Sequence, residues 1–305
     1  MQALQLVTYI SILIAAVAII AKVLRYASTP EHFRWELYPV PHEKGRADYG
    51  GSFLEELDWW SKPRESDTFN ELKEMAAEVL LLKGVYHHNK KVWIFSQPFH
   101  FGMYLCIGWL FMLLIGSILE IAGVAVFADA GIVGKITHYL TVVCGYAGLV
   151  LTGFGALGLF FWRLTDRDQR GYNSPAEYIN LTVIGLVVAV ALISHITIDP
   201  SFSFLRGYVQ SLATFSAFTS PGSWFTYEAI LVSLLIMYIP LTRMSHFVAK
   251  YFLYHAVRWN DEPNMRGSKI EKSLLKLLDQ NVGWSAPHIQ TGKPWKEVAK
   301  EMNNE

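Results

Sequence analysis

Four histidines in this chain stand where an imidazole is out of place. His100, His138, His195 and His246 lie in, or at the ends of, long apolar runs. An ionisable group in such a run marks a functional position by default. Two imidazoles facing each other across a helix bundle can ligate a haem iron from both sides, giving an electron-transferring b-type centre. The plainer role is packing, with each ring bonded to a backbone carbonyl or a serine. The other histidines, His32, His42, His87, His88, His255 and His288, fall in polar stretches. Cys106 and Cys144 are the only cysteines and sit apart inside apolar runs. An iron–sulfur cluster needs a full set of thiolates, so they read as small packing residues. Neither a glycine-rich phosphate loop nor an HExxH pattern is present.

The elements that must hold these residues are membrane helices. Of the 305 residues, 52% are hydrophobic and 17% charged, and the formal net charge is +0. That balance points to a membrane protein and offers nothing to attract a nucleic acid. Apolar stretches near 3–24, 98–123, 138–162, 178–198 and 225–248 each approach the ~20 helical residues that cross a hydrocarbon layer of about 30 Å. Strands are excluded there, because backbone groups in lipid must be bonded within the segment. The first stretch, "ALQLVTYISILIAAVAIIAKVL", has no basic residue before it and is followed by Lys22 and Arg25, the reverse of a signal peptide. It reads as a retained helix.

Basic residues divide sharply. Segment 22–95 holds 11 Lys and Arg, 163–170 holds 3 and the tail from Arg243 holds 10, leaving only Lys135 and Arg206 on the other side. The rich side is expected to be cytoplasmic. The expected fold is therefore an all-α, five-helix transmembrane bundle with its N-terminus outside. Span 1 occupies 1–24, a long cytoplasmic loop 25–97, spans 2–5 residues 98–248, and a cytoplasmic tail 249–305.

Orientation sorts the histidines by depth. His100, just after Pro98 at the expected start of span 2, and His246, at the inner end of span 5, share the cytoplasmic level. His138, at the start of span 3, and His195, in "ALISHITIDP" at the end of span 4, share the outer level. This gives two pairs, one near each face. Span 3 carries Gly145, Gly148, Gly153, Gly155 and Gly158, which would admit a flat macrocycle or serve ordinary helix packing. Arg243, one turn before His246, is placed for haem propionates or as a basic anchor.

Loop 25–97 is too long for a plain connection. Its stretch "DTFNELKEMAAEVLLLKG" has a cap in Asp67 or Thr68, an apolar face of Phe69, Leu72, Met75, Ala76, Val79 and Leu80, and Gly84 as its stop. Such a helix suits the membrane interface or a partner, as do Trp59 and Trp60. In the tail, "SKIEKSLLKLLDQNV" must bury Leu274, Leu275, Leu277 and Leu278 against something.

The stretches "PFHFGMYLCIGWLF" and "YIPLTRMSHFVAKYF", with "FFWRLTDR" at the end of span 3, resemble the cytochrome b (gamma) subunit family of respiratory nitrate reductase. They also resemble its relatives in heterodisulfide-reductase-like complexes of sulfate reducers and methanogens. The resemblance covers residues 1–255, and the long first loop suits those relatives better. It implies a subunit in a prokaryotic inner membrane that passes electrons between a quinol, menaquinol or another, and a cytoplasmic iron–sulfur partner. That partner, heterodisulfide-reductase-like or ferredoxin-like, would dock on the loop and tail. By the same resemblance, His100 and His246 ligate the haem b nearer the cytoplasm. The family's second-haem positions hold Leu110 and Glu228 here, neither a usual ligand. Either one haem is present, or the outer haem has moved to His138 and His195. His138 has a rival role in a quinol pocket, where Glu228 and Lys135 are further candidates for proton acceptor. Two readings of other classes remain, a haem-free membrane anchor and a proton-coupled transporter.

Overall fold

In a computed structural model the chain is described over residues 3–28, 40–46, 52–286, 289 and 291–301. Much of the expected cytoplasmic loop (29–39 and 47–51, with His32), together with His288 and the last residues of the tail, lies outside the described residues. Among the described residues all regular structure is helical, with only isolated β-bridges. The helices are α1 (Ala3–Ala27), α2 (Thr68–Leu80), α3 (Lys83–His88), α4 (Lys90–Ile121), α5 (Ile132–Thr165), α6 (Arg167–Arg170) and α7 (Pro175–Thr197). They continue with α8 (Ser203–Thr214), α9 (Ser223–Leu241), α10 (His246–Leu253), α11 (Lys269–Leu278) and α12 (Trp295–Glu301).

Helices α1, α4, α5, α7 and α9 are long and apolar enough to cross a membrane. All five expose large apolar side chains, unlike the helices of a water-soluble bundle. On α1 the buried residues are Gln5, Thr8, Ser11 and Ala15, while Ile10, Leu13, Val17 and Leu24 are exposed. A helix that turns its polar stripe inward and its apolar flanks outward is solvated by lipid. The protein is an integral membrane protein built as an all-α bundle.

The chain forms two compact units. The first comprises Met1–Ala18 and Lys73–Met244. Within it α4 packs on α5, α5 on α7 and α7 on α9, while α8 lies against α4. The α4–α5 seam is made by glycines. A Cβ on Gly155 would lie 2.5 Å from Cβ and 2.6 Å from Cα of Phe99, and one on Gly102 would lie 2.4 Å from the Thr152 nitrogen. Gly158 meets the Phe95 ring and Gly148 meets Cys106 in the same way. Gly148, Gly155 and Gly158 of span 3 thus serve close helix approach along this seam, whereas Gly153 meets Val188 of α7. The first turns of α1 are fastened by side chains. Gln5 Nε2 donates to Ser211 Oγ (3.1 Å) and to the Ser216 carbonyl (2.7 Å), and the Thr8 hydroxyl meets Tyr208 (2.6 Å) and Ser233 (2.8 Å).

The second unit comprises Ile19–Leu72 and Ser245–Glu305. Lys22 donates to Ser245, and Tyr26 lies 5.8 Å from Phe252. Asp261 is buried and ion-paired to Arg64 and to His42 Nε2 (3.0 Å). Burial alone would raise its carboxyl pKa, but the His42 hydrogen bond and charge, with Arg64, outweigh it and hold the carboxyl below its usual range. Val282, Ile289 and Val298 form a small core. Of the tail helix α11 only Ile270 is buried, with Leu275 and Leu278 exposed, so the expected burial of its leucines is partial. The expected stop of α2 also moves. The helix ends at Leu80, the chain turns at Leu82 with φ 51°, and Gly84 lies inside α3. Its expected start holds, since Asp67 Oδ1 accepts from the Asn70 N–H at 2.9 Å.

Candidate functional site

His100 sits in the third turn of α4, not its first. The helix begins at Lys90, where the Asn89 side chain accepts from the Val92 N–H at 3.1 Å and caps it. Pro98 is therefore inside the helix. It removes one backbone hydrogen bond but does not stop the helix, because neighbouring turns of a membrane helix compensate. The His100 ring is half-buried, and Nδ1 lies 2.7 Å from the Ser96 carbonyl. A carbonyl can only accept, so Nδ1 carries the proton and Nε2 carries the lone pair. A histidine that ligates a metal through Nε2 is normally held in this way.

His246 is placed differently from expectation. The fifth spanning helix ends at Leu241, with Pro240 in its last turn and Thr242 in extended backbone. The Thr242 hydroxyl then accepts from the Met244 N–H at 3.2 Å and starts a short 3-10 turn, Arg243–Ser245. His246 opens the separate helix α10, in the second unit, and both it and Arg243 are exposed.

At the other end of the first unit, α7 and α9 bring together two residues that sequence placed in different roles. His195 Nε2 lies 2.7 Å from Glu228 Oε1, with the side chains 0% and 1% exposed. His195 Nδ1 lies 3.2 Å from the Asp199 carbonyl. Both ring nitrogens are thus engaged. With Nδ1–H directed to a carbonyl, a proton placed between Nε2 and the carboxylate would leave the pair with no net charge whichever atom holds it. Such a neutral pair is one that can be buried between membrane helices. Phe202 lies 4.2 Å and Trp109 5.5 Å from the His195 ring, centroid to centroid, and Phe202 takes φ 59° to reach in. Gly145 is filled on the same side, since a Cβ there would lie 2.6 Å from the Phe202 ring and 2.9 Å from Trp109 Nε1. Glu228 Oε2, Trp109 Nε1 and Ser194 Oγ are buried without hydrogen-bond partners among the described residues.

No family model matches this chain, and no curated protein or solved structure does. The site must therefore be judged on its own geometry. A haem held between His138 and His195 does not fit it. His195 would have to give up Glu228, and the surrounding volume is taken by Trp109 and Phe202. His138 is buried in the second turn of α5, with no hydrogen bond among the described residues. Lys135, one turn earlier, is exposed. Leu110, where the resemblance would expect a second-haem ligand, is also exposed, and Trp109 beside it is buried.

Sequence reading missed a second ion pair, in which Arg206 is buried and Glu120 half-buried. Arg206 Nε donates to Glu120 Oε1 at 2.9 Å and Nη2 donates to the Val126 carbonyl at 2.8 Å, while the Ser117 hydroxyl bonds the Arg206 carbonyl. This clamps α8 to the end of α4. In the sequence Arg206 counted only as a charge on the poorly basic side. Its scarcity there, with Glu120 the lone acid near the end of span 2, was the available signal.

Proposed function

We propose that the chain is a membrane cytochrome b subunit that carries electrons between a quinol in the bilayer and a cytoplasmic iron–sulfur partner. His100 would be a ligand of one haem b. His246 is assigned as its second ligand, and Arg243 as a propionate contact, by sequence order and the family resemblance. The observation that carries the reading is the Nδ1–H bond from His100 to the Ser96 carbonyl, which orients the ring and presents Nε2 as the basic nitrogen. The haem, when bound, supplies the one-electron chemistry, and the protein supplies ligands and field. Quinol oxidation also releases protons. The His195–Glu228 pair offers a place for a proton inside the span, and His138 and Lys135 are the residues nearer the surface of that end. The outer haem is not part of this proposal.

The test is spectroscopic. The full chain, purified in detergent and reduced with dithionite, is expected to show b-type bands, and His100→Ala is expected to abolish them. A colourless but fully expressed, folded protein would refute the reading. The buried His195–Glu228 pair favours a second reading, proton-coupled transport. In that case proteoliposomes would show solute-dependent proton flux and no chromophore.

A further inference from the structure

We propose that α2 is an interfacial helix whose apolar face is immersed in lipid at the level of His100. The proposal does not depend on the haem assignment. At about 100° per residue, Phe69, Leu72, Met75, Val79 and Leu80 share one side of α2, and Glu71, Glu74 and Glu78 share the other. A helix packed on a water-soluble protein turns the first set inward. Here the second set is engaged: Glu71 meets His255 Nε2 at 3.1 Å and Glu74 meets Lys83 Nζ at 2.6 Å. The apolar set faces out, with Phe69 80% and Leu72 60% exposed and Val79 and Leu80 also uncovered. This inversion matches that of α1 and suits an apolar surrounding.

Depth identifies the surrounding as lipid. The Tyr104 hydroxyl donates to the Val79 carbonyl at 3.0 Å, and Trp93 Nε1 donates to the Leu81 carbonyl at 2.7 Å. Both donors belong to α4 and bracket Pro98 and His100. With 32 residues, α4 is about 48 Å long, some 18 Å more than the hydrocarbon layer of ~30 Å. Glu120, paired with Arg206, marks one boundary. Counting back about 20 residues from it puts the other near Phe101. The end of α2 is therefore fastened at that boundary, where its exposed leucines meet acyl chains and its glutamates stay in the polar layer.

The experiment uses the full chain with Cys106→Ala and Cys144→Ala, reconstituted in phosphatidylcholine/phosphatidylglycerol vesicles. Single cysteines at Phe69, Leu72 and Val79, and at Lys91 in the first turn of α4 as the aqueous control, are labelled with an environment-sensitive fluorophore. These side chains are exposed, so the changes remove no packing. The apolar positions are expected to be quenched severalfold more by spin-labelled lipid than by aqueous iodide, with the order reversed at Lys91. Iodide quenching at Phe69 and Leu72 would overturn the proposal. So would protection from both quenchers, which would mean that a second copy covers the face.

Discussion

Replacing Glu228 tests whether the buried pair holds the first unit together. In Glu228→Leu, His195 stays buried and Nε2 loses the partner it has among the described residues. A buried imidazole nitrogen left unpaired costs about 2 kcal/mol, or about 4–8 °C in the unfolding midpoint. In Glu228→Gln the amide N–H can donate to Nε2, because Nδ1 carries the proton toward Asp199. That variant is expected to lose only about 1 kcal/mol, some 2–4 °C. The assay is a thermal melt of the purified protein in detergent, followed by tryptophan fluorescence, with Trp109 beside the site as reporter. Equal midpoints for the leucine and glutamine variants would refute the reasoning, since the cost would then be one of shape and not of a lost hydrogen bond.

Three other outcomes follow from the geometry. Gly155→Ala puts a methyl group on the backbone of Phe99, which cannot swing aside, and should cost about 1–3 kcal/mol in a detergent melt, whereas Gly108→Ala, with open space around it, should leave the midpoint unchanged. Asn89→Ala removes the cap of α4 and should cost about 1 kcal/mol, seen as faster hydrogen exchange at Val92. Asp261 contributes stability that is complete above its unfolded pKa of about 3.9 and is lost as pH falls through the lower folded value. Acid unfolding of the second unit, followed by urea melts between neutral pH and that range, should lose this dependence in Asp261→Asn.

The five spans were legible because membrane hydropathy is a one-dimensional signal, set by residue type alone. Their ends were not. Pro98 looks like a helix start, yet Asn89 caps the helix earlier, and a proline inside a membrane helix is tolerated when the carbonyl it frees lies near the polar boundary. The last span looked continuous through His246, but the Pro240–Thr242 break is made by a side-chain hydrogen bond that hydropathy does not register. His195 and Glu228 were each visible as polar residues in apolar runs. Their union depends on how α7 and α9 face each other, which depth alone does not specify, and depth alone suggested a haem pair in its place. The bond from His100 to Ser96 is an i, i+4 contact and could have been read from sequence once a helix was assumed through Pro98.

The glycine seam divides α4 lengthwise. Phe95, Phe99, Gly102 and Cys106 point into α5, whereas His100 lies about 130° around the helix from them. Trp93 and Tyr104 share the His100 side. One flank of this rod is consumed by contact so close that no methyl group can be added. The opposite flank carries no such obligation and can change its chemistry without disturbing the join. Substitutions along α4 should therefore fall into two phenotypes sorted by azimuth alone: loss of assembly on one flank, altered reactivity in an intact bundle on the other.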